Sequence, residues 1–425
     1  MLNRDRIDPK SSEIVGLLDI GTSKVVCVIA ALEPPEHPGQ PRRVRVLGLG
    51  HLRSRGLKAG VITDLGEAEA TVRAAIAQAE RMAHLTLEEV FVSVSCGRLH
   101  SANFAASVDV AGGVIRSDDI DRLMAGAHAY AEREGRMLIH LNRIGFRIDG
   151  TPGANDPRGM AAHRLSADVH TVAADEAPVR NLMVVVERCY LSVRALIATP
   201  YASALAATTE EERRLGVVCI DIGGGTATAA AFVDGHFVHA ATVPVGGHHI
   251  TLDIAQALQA PLAEAERIKT LYGATIVAQS DEYETFPYAL AGAEEGARGE
   301  ATKAQLAQII RPRVAGILGL VRERLDKAGL NAFSNGRVVL TGGASSLVGL
   351  GEFAANSLGC PVRVSRPQPF EGLPQSVCSP AFSTVAGLLA IAASGGGEAP
   401  AVRGREAPAG GYLGRVGEWL RTGFA

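Results

Sequence analysis

The sequence predicts an α/β fold with two related halves, and three observations carry this prediction. Strand-like and helix-like segments alternate along the chain, as they do in α/β proteins. An apolar strand near the N-terminus ends in an Asp followed by a glycine turn, and the same pattern returns in the second half. A third glycine turn follows a short apolar strand near the C-terminus. The three turns are Asp19-Ile20-Gly21-Thr22-Ser23-Lys24, Asp221-Ile222-Gly223-Gly224-Gly225-Thr226 and Thr341-Gly342-Gly343-Ala344-Ser345.

The first two turns have the chemistry of a polyphosphate site. A carboxylate at a strand end can hold a metal ion or its waters, so Asp19 and Asp221 are the candidate Mg²⁺ ligands. Glycines after the Asp let backbone N–H groups approach a phosphate closely. One such turn also occurs in ordinary hairpins, but two copies facing each other would hold a polyphosphate from both sides. We therefore expect Gly21–Lys24 and Gly223–Thr226 to surround the phosphates.

Length and composition restrict the class of protein. A chain of 425 residues exceeds one typical core, so two or more domains are expected. Hydrophobic residues make up 47% of the chain, and the net charge of −3 gives no overall basic field for nucleic acid. The six cysteines form no CxxC pair, which favours reduced thiols over a disulfide or zinc site. We expect neither a signal peptide nor a transmembrane span, because the N-terminus is polar and no apolar run is long enough.

Local patterns predict several individual elements. A helix is expected over Asp64–Ala83, and another should begin at Ser117 with its hydroxyl group as the cap. Two short strands are expected within Met137–Ile148, followed by a loop over Thr151–Met160. The segment Gln279–Gly299 shows few signals of regular structure.

The C-terminal segment has the pattern of an amphipathic helix that binds a membrane surface. At about 100° per residue its apolar side chains fall on one arc, and Arg415, Glu418 and Arg421 fall on the other. A tryptophan on the apolar arc suits the headgroup boundary of a bilayer. Docking against the core and disorder are the alternatives, but the preceding Gly/Pro/Ala-rich linker favours membrane binding. The candidate membrane residues are Leu413, Val416, Trp419, Leu420 and Phe424.

The three turns, in this order, resemble those of the actin-like ATPase superfamily. The resemblance implies two domains that close on ATP, with the first two turns on the phosphates and the third on the adenosine. Two segments rich in small residues, 200–204 and 383–388, resemble the hinge helices of that superfamily. Glu266 and Lys269 lie on a helix that corresponds to one lining the adenine pocket, although a surface pair at i,i+3 is equally compatible. The implied nucleoside contacts are Glu266, Lys269, Gly342, Gly343, Ala344 and Ser345.

Within this superfamily, the chain most resembles the FtsA family of bacterial division proteins. The matching segments are Leu215–Thr226, Val339–Ala344 and Glu187–Cys189. The resemblance implies an inserted subdomain in domain one, named 1C, with a characteristic loop at Asp156–Met160. The implied parts are residues 13–84 (1A), 85–167 (1C), 168–206 (the remainder of domain one), 207–380 (domain two, with 2B at about 245–310), 381–393 (a closing helix), 394–411 (a flexible linker) and 412–425 (the membrane-targeting amphipathic helix).

The same resemblance implies a function. A protein like FtsA binds ATP and Mg²⁺, self-associates into polymers and anchors FtsZ filaments to the inner face of the cytoplasmic membrane. It acts at the division site together with other division proteins. Arg313 would contact the acidic C-terminal peptide of FtsZ, because a guanidinium suits carboxylates; ordinary solvation of this side chain is the alternative.

One position departs from the pattern of the superfamily. Thr199 stands where the chaperone relatives carry a Glu that helps to position metal and water, which implies weak ATPase activity at most. Two other functions of the same fold stay open. One is a pilus-assembly adaptor, and the other is a sugar or metabolite kinase, for which the sequence offers no clear catalytic Asp.

Overall fold

The fold has two five-stranded mixed sheets and one four-stranded antiparallel sheet. The computed structural model describes residues 12–35, 37, 40–132, 135–292, 297–330, 336–374 and 377–395. The two larger sheets share one topology, which confirms the predicted α/β fold with two related halves.

The first half carries an insert that follows Val94. The elements of this part are, in chain order, β1 (Glu13–Ile20), β2 (Lys24–Glu33), β3 (Arg43–Arg53), β4 (Leu57–Lys58), β5 (Val61–Ile62), α1 (Leu65–Ala83), β6 (Glu89–Val94), β7 (His100–Asp109), α2 (Ser117–Ala131), β8 (Arg136–Ile148), β9 (Thr151–Ala154), β10 (Arg164–Asp175), α3 (Glu176–Arg188), β11 (Ser192–Ala198) and α4 (Thr199–Ala207).

The second half ends with a helix that returns to the first. Its helices and strands are α5 (Glu210–Leu215), β12 (Val217–Ile222), β13 (Ala227–Val233), β14 (His236–Val243), α6 (Gly247–Leu258), α7 (Leu262–Tyr272), β15 (Thr285–Ala289), β16 (Arg298–Thr302), α8 (Lys303–Lys327), β17 (Arg337–Thr341), α9 (Leu350–Leu358), β18 (Val362–Val364) and α10 (Ser383–Ala393). Short 3₁₀ helices cover Gln279–Glu282, Gly343–Ser346 and Pro380–Phe382.

The shared topology places the two Asp turns at equivalent positions. The first sheet has the order β11-β6-β1-β2-β3, with β1, β6 and β11 parallel and β2 antiparallel to both of its neighbours. The second has the order β14-β13-β12-β17-β18, with the same directions. In each sheet, the Asp turn joins the central strand to the antiparallel strand that follows it.

The core is built from small aliphatic side chains, and α1 shows how closely they allow elements to pack. Asp64 caps this helix, because its carboxylate accepts the Glu67 N–H at 2.9 Å. Gly50 on β3 faces the helix backbone, and a Cβ there would lie 2.7 Å from the Ala75 carbonyl carbon. Glycine in a strand allows such a close backbone approach.

The insert forms its own sheet and core. Its strands have the order β7-β10-β8-β9, and Leu123 of α2 packs in one core with Phe146 and Leu165 of the sheet. This sheet runs from His100 to Asp175, whereas β6, which also lies in the range predicted for 1C, pairs with β1 and β11 of the first sheet.

Three local expectations for the insert are wrong. Residues 137–148 form one strand, because β8 pairs with β10 along its whole length through two register shifts. β9 occupies the start of the predicted loop and pairs with β8. The first turn of α2 is capped by the Asp119 carboxylate, which accepts the Arg116 N–H at 2.9 Å, and not by the Ser117 hydroxyl group.

The second half departs from the expectation in one segment. β15 and β16 form a hairpin where few signals of regular structure are present. The hairpin is stabilised by tertiary contacts, since Phe286 is buried and stacks on Tyr272 of α7 with ring centroids 4.7 Å apart.

Candidate nucleotide-binding cleft

The two Asp turns have the same local structure. The Gly21 N–H donates to the Lys24 carbonyl at 2.9 Å, and the Gly223 N–H donates to the Thr226 carbonyl at 2.9 Å. Each bond closes the turn between the central strand and the next one. Thr22 and Ser23 therefore correspond in position to Gly224 and Gly225.

The turns face each other in direct contact. A Cβ on Gly224 would overlap the Ser23 hydroxyl group, and it would lie 3.0 Å from the Ser23 Cβ. A Cβ on Gly225 would lie 2.8 Å from the Thr22 Cβ. The hydroxyl-bearing side chains of the first turn thus fill the space left by the missing side chains of the second.

Two buried carboxylates stand at the bases of the turns. The Ser93 hydroxyl group donates to Asp19 at 2.6 Å, and the Ser203 hydroxyl group donates to Asp221 at 2.5 Å. Burial raises the pKa of both carboxyl groups above the usual range, because removal from water disfavours the charged form. A cation at this place would stabilise both charges.

Lys24 provides a positive charge near both carboxylates. Burial lowers the pKa of its ammonium group, and the charges of Asp19 and Asp221 oppose that shift. Its Nζ donates to the Ala381 carbonyl and lies 4.5 Å from the ring centroid of Phe382. The predicted phosphate ligand is therefore held by the segment that leads into α10.

The third turn lies against the second one. Gly342 has φ +86°, and a Cβ there would lie 2.6 Å from the Ile222 carbonyl oxygen and would overlap Asp221. A Cβ on Gly343 would make only an ordinary contact of 3.6 Å with Ala381. Of the two glycines, Gly342 is thus the one that packing requires. The buried Ser345 hydroxyl group donates to the Gly342 carbonyl at 2.7 Å and closes the turn.

Glu266 and Lys269 lie at the same cleft. They also form the i,i+3 ion pair that was the alternative interpretation of the sequence. The Lys269 Nζ is 2.7 Å from the Glu266 carboxylate, 2.8 Å from the Thr251 hydroxyl group and 3.2 Å from the Gly247 carbonyl. Hydrogen bonds from Lys269 and Thr251 lower the pKa of Glu266 against the effect of burial. A Cβ on Gly247 would lie 3.1 Å from the Ala344 Cβ, which joins this cluster to the third turn.

Sequence reasoning missed the start of α6, which completes the cleft. The Gly247 N–H donates to the Gly223 carbonyl at 2.8 Å, and the His248 N–H donates to the Gly224 carbonyl at 2.7 Å. A Cβ on Gly246 would lie 2.5 Å from the Gly223 carbonyl oxygen. The glycine pair Gly246-Gly247, which follows the end of β14 at Val243 by three residues, was the available signal.

The hinge helices α4 and α10 connect to the cleft through hydroxyl groups. The Ser203 and Thr384 hydroxyl oxygens lie 2.9 Å apart, and Ser203 also bonds Asp221. The helices cross closely, since a Cβ on Gly387 would lie 2.8 Å from the Ala202 Cα. Their small residues allow this crossing, as the sequence predicts. Thr199 is buried at the first position of α4.

Arg313 lies on α8, and the structure gives it a partner. Its guanidinium forms a two-point ion pair with the Asp253 carboxylate of α6 at 2.6 and 2.7 Å. The neighbouring Arg311 donates to the Thr275 carbonyl at 2.7 Å. A carboxylate from another chain would therefore share or replace the contact with Asp253.

The remaining predictions concern cysteines, metals and membranes. All six cysteines are free thiols, as expected. The described part of the chain has no cluster of three or more His, Cys, Asp or Glu that could hold a metal. Within the same residues, no helix has the length and apolar character needed to cross a bilayer. The predicted membrane residues, from Leu413 to Phe424, lie outside the described residues.

Duplicated halves, facing turns and crossing hinge helices define an actin-like protein. Two solved structures share this fold at identities that show the fold alone. The PilM-PilN type IV pilus biogenesis complex has a TM-score of 0.61 and 17% identity, over 88% of this chain and 97% of that one. MreB 5 of Spiroplasma citri bound to AMPPNP has a TM-score of 0.52 and 14% identity, over 89% and 96%.

Sequence comparison gives the family. Residues 218–387 match the family described as cell division protein FtsA, and residues 96–173 match the SHS2 domain inserted in FtsA. The cell division protein FtsA of Agrobacterium fabrum is 38% identical over 98% of this chain and 96% of the relative. That of Escherichia coli K12 is 31% identical over 97% and 98%. The chain belongs to the FtsA family of cell division proteins.

Proposed function

We propose that this chain binds ATP with Mg²⁺ between its two facing turns and acts as a membrane-bound assembly protein in cell division. The contact between the turns carries the proposal. Gly224 and Gly225 have no room for side chains where they meet Ser23 and Thr22. Glycine backbone at such a place can bring its N–H groups directly to phosphate oxygens.

The donor set fits Mg²⁺ that arrives with a nucleotide. Mg²⁺ beside a nucleotide takes most of its ligands from water and phosphate, so one or two protein carboxylates are enough. Asp19 and Asp221 supply two, and both are buried. Bound Mg²⁺ would neutralise phosphate charge, and Lys24 would add a second positive charge near the same oxygens.

Slow turnover is expected from the same cleft. Thr199 is the first residue of α4 and has no carboxylate to orient an attacking water. Nucleotide binding would then regulate assembly more than it would supply catalytic flux. Such regulation agrees with the hydrogen bonds that connect the cleft to α4 and α10 through Ser203 and Thr384.

Titration of the full-length protein with ATP and Mg²⁺ tests the cleft. Gly225→Val should abolish binding, because its side chain would collide with Thr22. Gly126→Val is the matched control, since Gly126 lies on α2 of the insert and a Cβ there would meet nothing within 4 Å, and this variant should bind ATP as the parent does. Unchanged ATP affinity in Gly225→Val would overturn the assignment. Phosphate release by the parent should be well below the ~10 s⁻¹ of a typical enzyme.

The apolar arc of the C-terminal segment and the position of Arg313 support two proposed partners, a lipid surface and FtsZ. The arc with Trp419 suits a lipid surface, and a polymer of many chains would multiply a weak single anchor. Arg313 holds the Asp253 carboxylate in two-point geometry, and an acidic peptide would compete with Asp253 for this guanidinium. We infer that the acidic C-terminal peptide of FtsZ binds near this place and that the polymer holds FtsZ filaments at the membrane.

Co-sedimentation with anionic vesicles tests the membrane part. Trp419→Glu places a charge on the apolar arc and removes roughly 1.5–3 kcal/mol of burial, so it should release the protein and any bound FtsZ to the supernatant. Glu418→Gln, on the polar arc, is the matched control and should still pellet. If Trp419→Glu pellets as well as the parent, the tail is not the anchor.

A further inference from the structure

A cavity of about 560 Å³ lies behind the two hinge helices. The N-terminal parts of α4 and α10 reach the cleft through Ser203 and Thr384. Their C-terminal parts, including Leu205 and Ala390, line the cavity instead. The cavity also borders β17 and β18 at Arg337 and Arg363, so it contacts both halves of the molecule. Its volume is typical of a site for a small organic ligand.

Part of the cavity lining is apolar. Leu205, Phe370, Ala386 and Ala390 supply this surface. Leu215 stands at the rim with 75% of its surface exposed, although it is a large apolar side chain. A ligand with an apolar body would cover these side chains and remove them from water.

The lining also contains three arginines, of which one is already paired. Arg363 forms a two-point ion pair with Glu212 at 2.6 and 2.7 Å and donates to the Ala207 carbonyl at 2.9 Å. This bonding lowers the pKa of the Glu212 carboxyl group. Arg337 and Arg366 also line the cavity, and within the described residues neither guanidinium has a hydrogen-bonding or ion-pair partner. Glu211 is the other acidic residue in the lining.

We infer that this cavity binds a small amphipathic organic carboxylate. The apolar body of the ligand would lie against Leu205, Phe370 and Ala390, and its carboxylate would face Arg337 and Arg366. The planar guanidinium group is suited to a carboxylate, and the exclusion of water by an apolar body strengthens the charge interaction. Arg363 would remain with Glu212 and hold the wall of the cavity.

The position of the cavity also predicts coupling to the cleft. A ligand there contacts both hinge helices, whose other ends hold Asp221 through Ser203 and Thr384. By thermodynamic linkage, the factor by which the ligand changes the affinity for ATP equals the factor by which ATP changes the affinity for the ligand. This coupling rests on the proposed nucleotide binding, whereas binding to the cavity does not.

Calorimetric titration of the full-length, nucleotide-free protein with decanoate below its micelle concentration tests the site. The parent should bind one decanoate, and 1-decanol, which lacks the charge, should bind at least tenfold more weakly. The double variant R337Q/R366Q should lose at least tenfold in decanoate affinity. Arg324→Gln, at an exposed position on α8, is the matched control and should bind as the parent does.

A second variant separates filling of the cavity from loss of charge. Ala390→Leu places a larger side chain in the cavity and should abolish decanoate binding with the arginines intact. Equal decanoate affinity in the parent, R337Q/R366Q and Ala390→Leu would overturn the proposal, and so would equal binding of decanol. ATP titration with and without saturating decanoate then measures the coupling. If ATP does not bind, the proposed function fails, while the decanoate result still decides on the cavity.

Discussion

The two halves of this molecule have the same sheet, yet they contribute different chemistry to the cleft. The first turn places the side chains of Thr22, Ser23 and Lys24 on the facing surface. At the first two of these positions the second turn has Gly224 and Gly225, whose missing side chains admit those of the first. One half thus supplies functional groups, and the other supplies the space that brings backbone close to them.

The carboxylates differ in the elements that hold them. Asp19 is bonded by Ser93 of β6, a strand of its own sheet, so its place is internal to the first half. Asp221 is bonded by Ser203 of α4, a helix that precedes the second sheet. A substitution at Asp221 therefore removes a hydrogen bond to α4, whereas a substitution at Asp19 removes one within the first sheet. A duplicated fold can in this way become asymmetric through a few positions.

The largest effect is expected from removing the positive charge of Lys24, which the first turn has and the second turn lacks. Lys24→Met leaves Asp19 and Asp221 buried without their nearest cation, which should lower the free energy of unfolding by about 3–5 kcal/mol at pH 8. Since burial raises the pKa of both carboxyl groups, they take up protons as the pH falls, and the deficit should shrink towards pH 5. Chemical denaturation at several pH values measures this.

Thr226→Val is the matched control in the second half. Thr226 holds the position equivalent to Lys24, because both residues accept the hydrogen bond that closes their turn. Its replacement removes no charge, so the free energy of unfolding should change by about 1 kcal/mol or less. Equal losses in Lys24→Met and Thr226→Val would show that the asymmetry of charge has no energetic role.

A smaller effect is expected where the turns touch. Gly224→Ala should lower the free energy of unfolding by about 1–3 kcal/mol, because the new Cβ would overlap the Ser23 hydroxyl group. Adding Ser23→Gly removes both that hydroxyl group and the Ser23 Cβ, which would lie 3.0 Å from the new Cβ, and should restore most of the loss. Denaturation of both single variants and the double variant gives the coupling energy. Strictly additive losses would contradict the facing contact.

The effect that is smallest near neutral pH concerns the insert in the first half. His140 and His170 are buried between the insert and Phe237 of the second half, and burial lowers the pKa of each to about 3. The unfolded chain binds these protons near pH 6.5, so each histidine should reduce stability by up to about 1.4 kcal/mol per pH unit as the pH falls from 6.5 towards 3.

His140→Gln should remove the part of this loss of stability at acidic pH that comes from one histidine. The Gln carbonyl can still accept the Ala198 N–H, which bonds the His140 Nε2 at 2.9 Å, so the anchor to β11 is kept. The exposed His84→Gln is the control and should leave the slope of stability against pH unchanged. An unchanged slope in His140→Gln would mean that this histidine is not buried in its neutral form.

Local patterns were sufficient where a residue's role depends on its neighbours in the chain. The Asp-glycine turns, the helix at 64–83 and the two small-residue segments were all recognisable, since each depends on a short run of residues. The strand β8 and the hairpin β15–β16 were not, because their pairing partners and the burial of Phe286 come from distant segments. The pair of Arg313 with Asp253 likewise joins two helices far apart in sequence.

By itself, the sequence determined that the chain has two related α/β halves, three glycine turns and an amphipathic C-terminal pattern. Only the tertiary structure decided which glycines must be glycine, as at Gly342 against Ile222. It also decided that Ser203 and Gly247 join the cleft and that the hinge helices border a cavity. The physical reason is that dihedral preferences and periodicity act along the chain, whereas close packing and buried hydrogen bonds act between segments that only folding brings together.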